Sequence, residues 1–563
     1  MRLGDRGAAA ALVVLIVVAY LPALGAGFVW DDDHHVTKNA ALASTAGLAA
    51  VWTTLDATPQ YYPLTHTVFW IEHALWGLDP RGFHAVNLLL HAISALILWR
   101  TLRLLEVPGA WLVAAIFGVH PVHVESVAWV SELKNTLSGC LYLGASRIFL
   151  GWALDRERGP ARPWIASAMY LLALLSKTVT STWPIAMAIV LWWKTARVDR
   201  RAIAWLAPLL AVGAAFGAVT HRLEATQIGT SGADWSLPFV SRVALSARIV
   251  WFYLGKLVWP DPLSFIYPRW TVDATSPAAW VWMLSALAVA AVLFTYRDRL
   301  GRGPSATLAF FVVTLAPALS FFDVYPMRYS WVADHFQYLA SIGPIALACA
   351  AWARRTISPR RRVAGVAITA AVLLAASGRT FGRCGAYRDE ETLWRDTLRH
   401  NPHAWIAHNN LGVLLAERGA HEEAASEFAR VLALRPSHSG ARANLGYLQE
   451  LMGRPEAAVL TLREAAAARP EDADVRIHLV RILIATGRLD DAVSPAVEAA
   501  RLRPGDPDVL CDAGSLLARA GRTAEAIPLL ERAIALRPGF PRAAANLERA
   551  RRAAADLRYP PTP

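Results

Sequence analysis

ALVVLIVVAYLPALGAGFVWDDDHHVTKN, residues 11–39, sets an apolar run directly against three aspartates and two histidines. With its flanks the run is long enough to cross a bilayer. Similar runs recur at about 83–105, 109–127, 137–154, 164–176, 178–193, 203–219, 278–295, 305–322, 336–353 and 363–378, and then stop. Of the 563 residues 55% are hydrophobic and 18% charged, where a soluble chain carries about 25% charged residues. The first run, at about 8–24, is therefore read as a membrane anchor rather than a cleaved signal, because so many spans follow it. The chain divides into a polytopic membrane domain over 1–380 and a water-soluble domain over 381–563.

Charge placement sets the expected topology. WRTLRLLE (99–106), DRERGPAR (155–162), WWKTARVDRR (192–201), YRDRLGRG (296–303) and RRTISPRRR (354–362) are all Arg-rich. They share one side, the cytoplasmic one, if the ambiguous run 243–258 is re-entrant or lies on the surface. About eleven spans then put the N-terminus inside. The loops 25–82, 121–135, 219–277 and 323–335 face out, and so does the tail. The net charge of +12 thus reports topology, and no basic stripe with interleaved aromatics suggests nucleic acid. The four cysteines, Cys140, Cys349, Cys384 and Cys511, form neither a disulfide framework nor a zinc pattern.

The tail repeats. Pro402, Pro436, Pro470, Pro504 and Pro538 recur every 34 residues, with Gly419, Gly453, Gly487, Gly521 and Ala424, Ala458, Ala492, Ala526 in the same phase. A 34-residue period is the mark of tetratricopeptide repeats, each a pair of antiparallel helices. Repeats are expected at 403–436, 437–470, 471–504 and 505–538, with a capping helix at 539–556 and a partial leading helix at 390–401. The fold class is all-α: a transmembrane helical domain followed by an α-solenoid.

Polar groups concentrate at the outward ends of the spans. They are Asp31, Asp32 and Asp33; His84, Asn87 and His91 on one helical face; and His120, His123, Glu125 and Lys134 in FGVHPVHVESVAWVSELKN (117–135). Lys177 stands in LLSKTVTSTWP (174–184), and Arg328, Asp334 and His335 in YPMRYSWVADHFQYLASIG (325–343). Ionisable groups at a membrane boundary are costly unless paired or wetted, so their gathering on one leaflet suggests a site. A carboxylate there suits a general base on an acceptor hydroxyl, and Lys177 or Arg328 suits charge on a departing phosphate. Each group also has a plainer reading: Asp31–Asp33 as a solvated loop, His84/Asn87/His91 as interhelical packing, Lys177 as a snorkelling lysine. His120 and His123 stand three apart rather than the four usual for helical zinc, and no metal is expected.

Together FVWDDDHHVTKN, YYPLTHTVFWIEHALWGLDPRGFHAVNLLLHA (61–92), the HPVHVES run, LLSKTVTSTWP, ADHFQYLASIG (333–343) and the repeats resemble the transmembrane-and-tetratricopeptide-repeat protein O-mannosyltransferases and their bacterial relatives. The resemblance implies the glycosyltransferase C-type fold in a bacterial cytoplasmic membrane, with the solenoid and active site extracytoplasmic. It implies transfer of a sugar from a polyprenyl-phosphate carrier to hydroxyls of an exported polypeptide, inverting, with no cofactor beyond the lipid-linked donor. Asp31, Asp32 and Glu125 take the catalytic positions, with the choice of base left open between the aspartates. Lys177, Arg328 and His335 take the donor-phosphate positions, and His84, Asn87, His91, His120 and His123 line the pocket. The chain departs from many relatives at Asp334-His335-Phe336 and Tyr61-Tyr62-Pro63-Leu64. The rival is a non-catalytic membrane-anchored scaffold whose repeats recruit envelope proteins.

Overall fold

The structure is a computed structural model that describes residues 4–157, 159–228, 237–356 and 359–558. The loops expected at 155–162, 219–277 and 354–362 each contain residues outside this set. Among the described residues every regular element is helical. Two compact units divide at Pro402/His403.

The first unit is built from the apolar runs. Proline starts several of its helices, Pro63–Trp76, Pro80–Leu104 and Pro277–Thr295 among them, where its missing N–H costs nothing and its fixed φ favours the first turn. Among the described residues, five helices are long and apolar enough to cross a membrane: Asp5–Gly25, Pro80–Leu104, Arg200–Thr226, Pro277–Thr295 and Arg362–Tyr387. Pro277–Thr295 is apolar all round and buries none of its residues, with Leu284 at 63% and Phe294 at 68% exposure. A helix of that kind is stable facing lipid, not water. The remaining runs also form helices, but shorter or more polar ones. Phe239–Val258, which covers the ambiguous run, is one unbroken helix carrying Arg242, Arg248 and Lys256, and is not among the five.

One expectation changes here. The stretch 121–135, read above as an outward loop, is buried throughout, as is every residue from Phe117 to Gly139. The chain breaks at His120-Pro121, turning the axis by 53°, and passes through short 3-10 and α turns before the helix Leu133–Ala153. Small and branched apolar residues let this plug pack, and polar side chains such as Asn135, His123 and Glu125 find partners inside the protein, as irregular backbone away from water requires. The helix Glu390–His400, expected to lead the repeats, makes its contacts within the first unit. Asn401 donates to the Ile266 carbonyl at 3.2 Å, Arg383 pairs with Asp396, and Trp394 packs on Phe265 at 5.7 Å.

The second unit is the solenoid, with helix pairs from Trp405–Glu417 and His421–Leu434 to Pro507–Arg519 and Thr523–Leu536, closed by Pro541–Arg558. Gly419, Gly453, Gly487 and Gly521 stand at φ between +69° and +77°, the left-handed stop that ends a helix and that glycine adopts without strain. Ala424, Ala458, Ala492 and Ala526 are fully buried where the paired helices touch. A Cβ on Gly514 would lie 2.6 Å from Leu530 Cγ and 3.2 Å from the Ala526 carbonyl oxygen. Gly514→Val should therefore destabilise the solenoid by about 1–3 kcal/mol, read as an earlier thermal unfolding transition of the full chain.

Candidate active site

The acids sit where the chain leaves the first span. Gly27 N–H donates to the Arg388 carbonyl at 2.8 Å, and Trp30 then takes φ +49°, a left-handed conformation that a bulky residue adopts only when its surroundings impose it. The ring of Trp30 stacks on Trp129 at 5.7 Å and meets the edges of Phe265, Tyr329 and Trp394. This turn sends the three aspartates to three different fates.

Asp32 is wholly buried and accepts from Val29 N–H at 2.8 Å, Ser131 N–H at 2.7 Å and the Ser131 hydroxyl. It is a knot between the acid turn and the buried plug. Asp33 pairs with Lys38 and accepts from Thr37 at 2.9 Å on the exposed side of the turn. Asp31 differs from both: its side chain is 27% exposed, Oδ2 lies 3.6 Å from His35 Nε2, and Oδ1 has no hydrogen-bond partner among the described residues. Burial, reinforced by the nearby Glu132 charge and opposed by Lys134, pushes its carboxyl above the ordinary range.

Beside Asp31 lies a cluster whose centre is Glu132, a residue absent from the sequence-based expectations. Its side chain is 1% exposed and meets Lys177 Nζ at 3.0 Å, Lys134 Nζ at 3.4 Å and His335 Nε2 at 3.9 Å. Burial alone would raise this carboxyl, but His335 and the two lysines pull it down to about 2. Burial depresses His335 itself, although Glu132 opposes it. Burial likewise depresses Lys177, with Lys134 adding to the effect, although Glu132 opposes it. Two ammonium groups held by one carboxylate form a cationic patch, and Asp31 feels the field of Lys134.

The other expected residues hold the cluster in place. Glu125 Oε1 accepts from His335 Nδ1 at 2.7 Å and Oε2 from Asp334 N–H at 3.1 Å, so it is engaged on both oxygens. His335 thus stands between Glu125 and Glu132, and Asp334 accepts from the Tyr267 hydroxyl at 2.8 Å. Asn87 donates to the Trp129 and Val130 carbonyls and accepts from Thr136. His91 bridges the Tyr338 hydroxyl and the Gly118 carbonyl, and His123 the Phe117 carbonyl and Ser341. His120 meets the Leu257 carbonyl at 3.0 Å and His84 the Gly27 carbonyl at 3.4 Å. These five side chains, expected to line the pocket, have these polar atoms bound into the packing around the plug. Arg328 lies half-buried in the turn Tyr325–Arg328. Among the described residues no group of three His, Cys, Asp or Glu is placed to hold a metal ion.

The fold and site define a polytopic membrane protein with a tetratricopeptide-repeat solenoid. Tetratricopeptide-repeat family models match residues 378–439, 451–510 and 507–540. Among curated proteins, protein O-mannosyl-transferase F38B6.6 of Caenorhabditis elegans is 24% identical over 76% of this chain and 62% of its own length. Human protein O-mannosyl-transferase TMTC1 is 25% identical over 78% of this chain and 56% of its own length. Drosophila melanogaster Tmtc2 is 29% identical over 48% of this chain and 31% of its own. The chain is similar to these protein O-mannosyl-transferases, and it spans less than two thirds of the length of each.

Proposed function

We propose that the chain is a membrane glycosyltransferase that moves a sugar, mannose on the strength of its relatives' names, from a polyprenyl-phosphate carrier to Ser or Thr hydroxyls of exported protein. The observation that carries the reading is Asp31, a carboxylate with one unpartnered oxygen raised above its ordinary range, within the field of Lys134, which shares Glu132 with Lys177. A hydroxyl is a weak nucleophile at neutral pH, so a basic carboxylate within reach is what the step requires. The carrier leaves as a phosphate monoester, and the lysines are placed to offset its charge. Asp31 is the base in this reading, while Asp32 and Glu125 fix the backbone that presents it and the cations. The active site opens to the extracytoplasmic face, the side to which the Arg-rich loops do not belong. The solenoid is likewise extracytoplasmic and engages the acceptor polypeptide. Mass analysis of glycans on exported proteins, in cells carrying Asp31→Asn at normal membrane levels, tests the reading. Glycan mass unchanged there and also in Asp32→Asn would instead favour a scaffold built on the repeats.

A further inference from the structure

Behind Asp31 stand two histidines with no part in the scheme above. His35 belongs to the turn Asp33–Thr37 and His66 to the helix Pro63–Trp76, and they are 4% and 0% exposed. With a backbone carbonyl they form a line. His66 Nδ1 lies 3.1 Å from the Tyr62 carbonyl, His66 Nε2 lies 3.3 Å from His35 Nδ1, and His35 Nε2 lies 3.6 Å from Asp31 Oδ2.

A carbonyl oxygen can only accept, so the hydrogen of neutral His66 sits on Nδ1 and its Nε2 carries a lone pair. That lone pair makes His35 the donor through Nδ1. His35 Nε2 is then bare and faces Asp31. The groups acting on His35 are Lys134, His66, His34 and Lys177 besides Asp31, and burial, with the two lysines adding to it, holds its ring well below the ordinary range. Burial holds His66 near 4, so both rings are neutral around pH 7.

We propose that the Tyr62 carbonyl, His66 and His35 form a tautomer-setting chain that presents a bare ring nitrogen to Asp31 and thereby strengthens it as a base. The inference rests on the assignment of Asp31 as general base and gives that residue two positioning partners. A bare nitrogen repels the carboxylate but accepts from the carboxylic acid, so it favours the protonated form. The 3.6 Å separation is that of two acceptors, and it closes to a hydrogen bond when Asp31 takes a proton. In the transfer step the acceptor oxygen bonds to the anomeric carbon while the bond from that carbon to the phosphate oxygen breaks. The bonding pair leaves with the phosphate, and the hydroxyl proton passes to Asp31 Oδ2. There the O–H···Nε2 bond holds it until the departing phosphate or water removes it.

Infrared titration of the Asp31 carboxyl, on the full chain in lipid nanodiscs and assigned by the band missing in Asp31→Asn, tests this without any sugar donor. In His66→Phe the ring of His35 loses its acceptor and turns its N–H toward Asp31. The titration midpoint is then expected to fall by about one pH unit or more, a tenfold loss of proton affinity. His66→Gln keeps an oxygen for His35 and an N–H for the Tyr62 carbonyl, and the midpoint should stay. Should His66→Phe fail to accumulate, His66→Leu carries the same expectation. A midpoint unmoved or raised in the folded apolar variant overturns the histidine chain and leaves the transferase reading standing. Glycan persisting in Asp31→Asn overturns the assignment of Asp31 as base and leaves the measured midpoint as it was.

Discussion

Asp31→Asn is expected to lower sugar transfer by about 10²–10⁴-fold, the contribution of a positioned general base, with the protein still folded and at normal membrane levels. Asp31 makes no bond that the fold depends on: one oxygen has no partner and the other stands off His35. Asp32→Asn should behave in the opposite way. Its oxygens accept from Val29 N–H and from Ser131, so an amide turns a donor onto a donor and costs about 1–3 kcal/mol. The expected result is less folded protein, with transfer per folded molecule falling far less than in Asp31→Asn. Comparing glycan mass with membrane abundance for the two variants separates them. Loss of transfer at full abundance in Asp32→Asn, with Asp31→Asn active, would reverse the assignment.

The second large effect belongs to Glu132→Gln. The carboxylate sits 3.0 Å from Lys177 and 3.4 Å from Lys134, all three side chains being at most 13% exposed. Removing one partner of a buried ion pair leaves an uncompensated charge and typically costs about 3–5 kcal/mol. Asp31, close enough to act on Lys134, offsets part of this. Glu132→Gln combined with Lys177→Met should recover most of the stability, because the unmatched charge goes too. It should not recover transfer, which needs the cation. Thermal unfolding in detergent followed by tryptophan fluorescence gives the first result, glycan mass the second. A Glu132→Gln protein as stable as the parent would show that the cluster is already screened by water.

The solenoid was legible in the sequence because its period repeats the same local chemistry at each turn: a left-handed glycine, a buried alanine and a proline after the second helix. The membrane character was legible from hydropathy. The site was legible only as a gathering of polar residues on one side, since spacing along a chain does not say which atoms meet. His84, Asn87, His91, His120 and His123 read in the sequence as lining a pocket, and the structure gives each of them a hydrogen bond to a backbone carbonyl inside the packing. Glu132 escaped notice because it lies among apolar residues of a stretch read as a loop. Its signal was there in SELK, an acid two residues before a lysine at a span's head. His35 and His66 are 31 residues apart, and no local pattern joins them.

The buried plug bears on how the protein is made. Glu125 is satisfied by Asp334 and His335, Asn135 by the His335 carbonyl, and His123 by Ser341, residues synthesised some two hundred positions later. Until that distant turn emerges from the ribosome, the Phe117–Gly139 stretch has nowhere to settle in lipid. Insertion of the early helices therefore yields a waiting intermediate, and a nascent chain halted before the Asp334–Ser341 turn should be a substrate for membrane quality-control proteases.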